Sequence, residues 1–137
     1  MLTGEFRHSL DAKGRVFLPA RWREELGVSV WVTRGMEASL FLMSPPRFEQ
    51  WSGNVLDLSL DKQLHRAYRR ALFSAASEEP VDRQGRITIP ERLRSLAGLR
   101  RGLVLAGSGD VAEIWDEEAW DSNMSAADHF GTIAEHL

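Results

Sequence analysis

The 137-residue chain contains no cysteine. That excludes disulfides, thiolate nucleophiles and thiolate metal ligands, and nothing else points to an oxidising compartment. No apolar run approaches the ~20 residues of a membrane-spanning helix. The opening Met1-Leu-Thr-Gly-Glu-Phe-Arg-His8 has no apolar stretch of the kind a secretory signal needs. A cytoplasmic protein with no membrane partner is the expectation. Catalytic machinery is equally scarce. His8, His65, His129 and His136 are scattered without metal-ligand spacing. Gly102, Gly107 and Gly109 match neither a Gly-Lys-Ser/Thr phosphate loop nor Gly-x-Gly-x-x-Gly. Glu113 has no nucleophile or oxyanion pocket near it in sequence, and Asp116-Glu117-Glu118 reads as acids placed to complement a helix dipole. No enzyme activity, cofactor, metal or small-molecule substrate is expected.

The last absence is of positive charge. From Asp110 onward there are eight acids and neither Lys nor Arg, so a net charge of −3 for the whole chain leaves +5 on residues 1–109. An acidic segment thus follows a basic body. It reads either as a solubilising tail or as a segment that shields the basic surface or binds a partner.

What the chain does have, it has twice. Asp11-Ala-Lys-Gly14-Arg15-Val-Phe-Leu-Pro19-Ala-Arg21-Trp-Arg23-Glu-Glu-Leu-Gly27 returns as Asp82-Arg-Gln-Gly85-Arg86-Ile-Thr-Ile-Pro90-Glu-Arg92-Leu-Arg94-Ser-Leu-Ala-Gly98, at a constant offset of 71 residues. Two copies do not make a solenoid; they predict two related halves about a pseudo-twofold axis. In each copy Asp11 or Asp82 can bond backbone amides ahead of it, and Gly14 or Gly85 can supply a positive φ, so each reads as a turn. Arg15-Val-Phe-Leu18 and Arg86-Ile-Thr-Ile89 read as short strands leaving those turns. Pro19 and Pro90 stand where a helix begins, and Gly27 and Gly98 where it ends.

Turn chemistry explains Asp, Gly and Pro without invoking function. It does not explain Arg15 and Arg86 after each turn glycine, or Lys13 and Arg83 on the turns themselves. Two readings stand: solvated tips, or paired cationic turns that read phosphates and base edges.

The rest of the chain fills in around the repeat. Glu5–Leu10 is expected to pair across the first turn with Arg15–Leu18, with Arg7 and His8 joining that surface. Ser29–Thr33 and Leu40–Met43 predict another hairpin, followed by a helix capped by Ser44 and ended by Gly53. In the second half Leu103–Ala106 is aligned with Trp31–Arg34, Gly107 with Gly35, Ile114-Trp115 with Leu42-Met43, Trp120 with Phe48, and the cap Asp116 with Ser44. The five tryptophans are read as core or subunit contacts. Between the halves, Leu60, Leu64, Ala67, Ala71 and Leu72 stripe a helix whose other face carries Lys62, Arg66, Arg69 and Arg70. That helix reads as an ordinary solvated element, or as one that docks on a neighbouring subunit or lines a basic surface. At 137 residues the chain is one domain. Repeat 1 spans about 5–53, the connecting helix 57–76 and repeat 2 about 78–128.

The doubled Asp-x-x-Gly-Arg, each followed by an apolar strand and Pro, together with Glu113-Ile-Trp115, resembles the MraZ family of bacterial transcriptional regulators over nearly the whole chain. The family's two Asp-x-x-x-Arg repeats map onto Asp11–Arg15 and Asp82–Arg86. The resemblance implies an α+β fold of the AbrB-like swapped-hairpin type, a double-split β-α-β unit with two interleaved pseudo-symmetric halves. It also implies ring-shaped homo-oligomers in the nucleoid. These would bind short direct repeats of double-stranded DNA upstream of the division and cell-wall gene cluster and regulate its transcription. Carried over, Arg15 and Arg86 are expected to contact DNA first and Lys13 and Arg83 to contact phosphates. Asp11, Gly14, Asp82 and Gly85 are expected to shape the turns. The alternative is an antitoxin-like or protein-gripping ring of the same fold that reads no promoter directly.

Overall fold

In the computed structural model, residues 1–59, 61–123, 130 and 134–136 are described; Leu60, Asp128 and His129, which figure in the sequence reading, lie outside them. The first half runs β1 (Glu5–Ser9), β2 (Arg15–Phe17), α1 (Ala20–Leu26), β3 (Ser29–Arg34), β4 (Ser39–Met43) and α2 (Pro45–Leu56). After α3 (Lys62–Phe73) the plan repeats as β5 (Ser77–Pro80), β6 (Arg86–Thr88), α4 (Glu91–Leu96), β7 (Gly102–Gly107), β8 (Ala112–Asp116) and α5 (Glu117–Asn123).

The strands form a six-stranded antiparallel sheet in the order β1-β7-β8-β4-β3-β5 and a separate two-stranded ribbon, β2-β6. Exchanging each strand for its counterpart in the other half reverses the six-strand order and leaves it otherwise unchanged. The pseudo-twofold axis therefore passes between β4 and β8. This is an α+β domain of two pseudo-symmetric, interleaved halves.

The interleaving corrects the expected pairing across the first turn. Glu5–Ser9 does not pair with Arg15–Phe17. It pairs with β7 of the other half, Glu5 opposite Ala106 and Ser9 opposite Gly102. Likewise β5 pairs with β3, while β2 pairs with β6, Val16 opposite Ile87. Each strand leaving a turn thus takes its partner from the opposite half. Leu10, Val16, Leu18, Ile87, Ile89 and Leu105 meet in a single core as a result.

Hydrogen-bond register also corrects the alignment of the halves. The Val81 amide bonds the Val28 carbonyl, and the Leu10 amide bonds the Arg101 carbonyl, so Arg101 is the counterpart of Val28. Trp31 then corresponds to Val104 rather than Leu103, and Gly35 to Ser108 rather than Gly107. Two residues are inserted between α4 and β7, and one is lost from the β7–β8 turn. A second correction concerns α2, which passes through Gly53 and ends at Leu56, capped by Asp57. An interior glycine costs a helix only ~1 kcal/mol, and the next turn buries Val55.

Elsewhere local chemistry and structure agree. Gly27 closes α1 with φ 89°, and Pro19 and Pro90 occupy the N-cap positions, one residue before helix begins. Trp22 is buried, edge-to-face with Phe6, and donates its indole N–H to the Thr3 carbonyl at 2.8 Å. Trp31 stacks on Phe48 at 3.8 Å, Trp51 leans on the same ring, and Trp115 meets Trp120 edge-on. All five tryptophans are engaged within the chain.

The connecting helix α3 is the exception to this packing. Only Leu72 is buried on it; Leu64 is 57% and Tyr68 40% exposed, and Ala67 is exposed too. Its apolar stripe continues into a cleft of about 520 Å³ lined by Met36, Phe41, Trp51, Tyr68 and Leu72.

Candidate nucleic-acid interface

Both turns are built by the same local bonds. The Asp11 Oδ1 accepts from the backbone amides of Lys13 at 2.9 Å and Arg15 at 2.8 Å, and its Oδ2 accepts from Arg15 Nε at 2.8 Å. The Asp82 carboxylate does the same for Gln84, Arg86 and Arg86 Nε, at 2.9, 2.8 and 2.9 Å. Backbone bonds from the Gly14 amide to the Asp11 carbonyl and from the Gly85 amide to the Asp82 carbonyl complete each turn. Gly14 and Gly85 sit at φ 79° and 86°, a region costly for any residue with a Cβ.

The two turns are joined by the ribbon. The Leu18 amide bonds the Gly85 carbonyl, and the Ile89 amide bonds the Gly14 carbonyl, so each strand ends on the other half's turn. Side chains on a strand alternate faces, and directly opposed residues share one. Val16 and Ile87 point inward and are 1% exposed. Arg15, opposite Thr88, and Arg86, opposite Phe17, therefore share the outward face. Two residues of ribbon separate them, about 7 Å along the strand. The Arg86 guanidinium lies 5.7 Å from the Phe17 ring centre.

Each Arg spends its Nε on the turn aspartate, which aims the terminal nitrogens outward. Among the described residues those terminal nitrogens make no hydrogen bond or ion pair. Lys13 and Arg83 are exposed on the turn tips, also without ion pairs among the described residues. The four expected cations thus lie on the ribbon and its two turns. Arg7 does not join it: its guanidinium bonds Glu117 at 2.7 Å and Asp121 at 3.0 Å on α5. His8 is partly buried on the other face of β1, and burial together with the nearby Arg23 charge lowers its pKa from 6.5, so it is neutral at pH 7.

Two residues without an assigned role from sequence prove to hold the turns. Arg23 on α1 donates Nε and a terminal nitrogen to the Leu18 carbonyl at 3.1 and 3.0 Å, and its guanidinium lies directly under Gly85. Arg94 on α4 donates Nε to the Ile89 carbonyl at 2.9 Å and lies under Gly14, where a Cβ would come 3.0 Å from its Cζ. Each turn rests on an arginine from the opposite half. Their recurrence at the offset of 71 was the available signal; their destination across the axis was not readable from it.

The backbone amide of Arg15 and its Nε hold the Asp11 carboxylate below the ordinary 3.8, against some desolvation, and Arg86 does the same for Asp82. A depressed carboxylate pKa contributes stability that is fully present above the ordinary value and is lost as pH falls through the lower folded value. The thermal midpoint of the wild type should therefore drop more steeply below about pH 3.8 than that of an Asp11→Asn, Asp82→Asn variant. Melting curves between pH 7 and pH 2.5 measure this; parallel profiles would dismiss the turn carboxylates as acid-sensitive elements.

Strands exchanged between pseudo-symmetric halves, with two Asp-built turns on one ribbon, define an AbrB-like swapped-hairpin domain. A family model described as "MraZ protein, putative antitoxin-like" matches residues 1–71 and again 72–135. Relatives named transcriptional regulator MraZ are 41% identical in Leuconostoc citreum, over all of this chain and 96% of theirs, and 42% in Limosilactobacillus reuteri, over all of this chain and 97% of theirs. The Finegoldia magna relative is 37% identical over 94% of this chain and 92% of its own. The chain belongs to the MraZ family.

Proposed function

We propose that this protein is a DNA-binding transcriptional regulator that inserts the β2-β6 ribbon into the major groove. One observation carries the reading: Arg15 and Arg86 share the outward face of a two-stranded antiparallel ribbon, flanked by the cationic tips Lys13 and Arg83. A major groove of ~12 Å admits such a ribbon, and arginine is the commonest reader of guanine there. Lys13 and Arg83 fall where the groove walls carry phosphates, which set position rather than sequence.

A single ribbon offers few base contacts. Repetition in a ring of identical subunits raises the effective concentration of each further contact, and matched DNA boxes follow as short direct repeats. The chain's own gene, placed in the division and cell-wall cluster, supplies the upstream region to test. The α3 stripe of Leu64, Ala67 and Tyr68 and its adjoining cleft supply a surface for a second copy. Leu64→Asp with Tyr68→Asp should reduce the wild-type assembly to protomers in sedimentation velocity and weaken DNA binding by ~100-fold or more through lost multivalency. An unchanged assembly would clear α3 of that role.

Fluorescence anisotropy with a duplex from upstream of the chain's own gene, and a scrambled duplex, at two salt concentrations tests the function. Selective binding that weakens steeply with salt is expected. Equal binding to both duplexes, or binding with weak salt dependence, would favour turns that grip a protein instead.

A further inference from the structure

We infer that Phe17 is a specificity-determining residue: it takes the methyl group of a thymine beside the guanine read by Arg86, and so gives a nearly symmetric ribbon a direction along DNA. The inference rests on the groove-reading ribbon proposed above and deepens it.

The pseudo-twofold axis crosses the ribbon at its central pair, Val16 opposite Ile87, because exchanging β2 with β6 maps each of these residues onto the other. Both are 1% exposed and face the core. The outward face is therefore made by the two flanking pairs, Arg15 with Thr88 and Phe17 with Arg86. The axis carries Arg15 onto Arg86, so the arginines present the same chemistry at both ends. A twofold reader matches a twofold site. Two equivalent guanidiniums meet the same contacts when the duplex is turned end for end, and cannot tell one direction from the other.

The same axis exchanges Phe17 with Thr88, and these two differ. Of the ribbon's outward side chains they alone break the symmetry. The turn tips differ as well, Ala12-Lys13 against Arg83-Gln84, but each tip carries one cation. Phosphate contacts carry no sequence information, so the tips add affinity without direction.

Phe17 is equipped to read a base. It is 41% exposed and lies outside the core cluster, with the Arg86 guanidinium 5.7 Å from its ring centre. Directly opposed residues on one face have Cβ atoms about 5 Å apart, on the order of one to two base steps of ~3.4 Å. Ring and guanidinium thus reach neighbouring bases. In the major groove a phenylalanine recognises thymine through its 5-methyl group. Thr88, exposed beside Arg15, offers a shorter side chain whose hydroxyl serves donor and acceptor alike, and so discriminates less.

Selection of sites from a pool of randomised duplexes tests this. Wild type should select a site with thymine enriched beside the guanine at one end only. Phe17→Thr should lose that thymine. Thr88→Phe should gain a second one at the other end, giving a site that reads the same on both strands. Replacing every thymine of the upstream duplex by uracil removes only the methyl groups, and should weaken wild-type binding about fourfold per engaged ribbon. Phe17→Thr should bind the two duplexes alike. Circular dichroism and sedimentation establish that each variant keeps its fold and assembly, and the uracil comparison on wild type needs no variant. An unchanged site for folded Phe17→Thr, or equal binding of both duplexes by a wild type that selects its site, would remove Phe17 from the readout and leave the arginines in place. If wild type selects no site at all, the functional reading fails first and the assignment with it.

Discussion

Replacing Arg15 and Arg86 together by alanine is expected to abolish selective DNA binding and leave a folded protein. Their terminal nitrogens are the outward hydrogen-bond donors of the ribbon face, and each bidentate base contact is worth ~1–3 kcal/mol of discrimination. Losing both removes about 2–6 kcal/mol per engaged ribbon, and an array multiplies the loss. The fold does not depend on them to the same degree. Their side chains keep 30% and 21% of their surface exposed, whereas the neighbouring Val16 and Ile87 keep 1% and carry more of the burial. Asp11 and Asp82 keep their bonds to backbone amides when the guanidiniums go. Anisotropy reads the binding, and circular dichroism with a thermal melt reads the fold. A folded double variant with wild-type affinity would remove the ribbon face from the interface.

The largest effect on stability is expected at Gly85. Alanine there meets two costs. The φ of 86° disfavours any Cβ by ~1–2 kcal/mol. The new methyl would also overlap the Arg23 guanidinium, which cannot withdraw without giving up its bonds to the Leu18 carbonyl. Charged hydrogen bonds of that kind are worth ~1.5–3 kcal/mol. Gly85→Ala should thus cost about 3 kcal/mol, on the order of 10 °C in Tm, and displace the ribbon. Gly98→Ala is the control. It also has a positive φ, at 60°, but nothing within 4 Å of its Cβ, so only the backbone cost of ~1–2 kcal/mol applies. Equal losses at the two sites would mean that Arg23 moves aside freely. In an Arg23→Ala background the excess at Gly85 should vanish.

The two costs at Gly85 separate what was legible from what was not. Asp82, Gly85 and Pro90 mark turn and helix start through bonds between residues a few positions apart, and such bonds are written in local sequence. The offset of 71 further disclosed two equivalent halves, since a repeated local pattern folds into a repeated local unit. Arg23 beneath Gly85 is a contact between halves, and no local pattern specifies it.

Strand exchange has the same origin. Glu5–Ser9 alternates well enough to pair with any neighbour, and sequence proximity favoured Arg15–Phe17. The partner is β7, because only crossing the axis closes one core around Val16, Leu18, Ile87 and Leu105. Register followed from that ladder too, which moved the counterpart of Trp31 from Leu103 to Val104. Turns, caps and strand-forming stretches are thus decided by chemistry within a few residues. Partners, register and the meeting of charges across the axis are decided by burial, which acts on the whole chain at once.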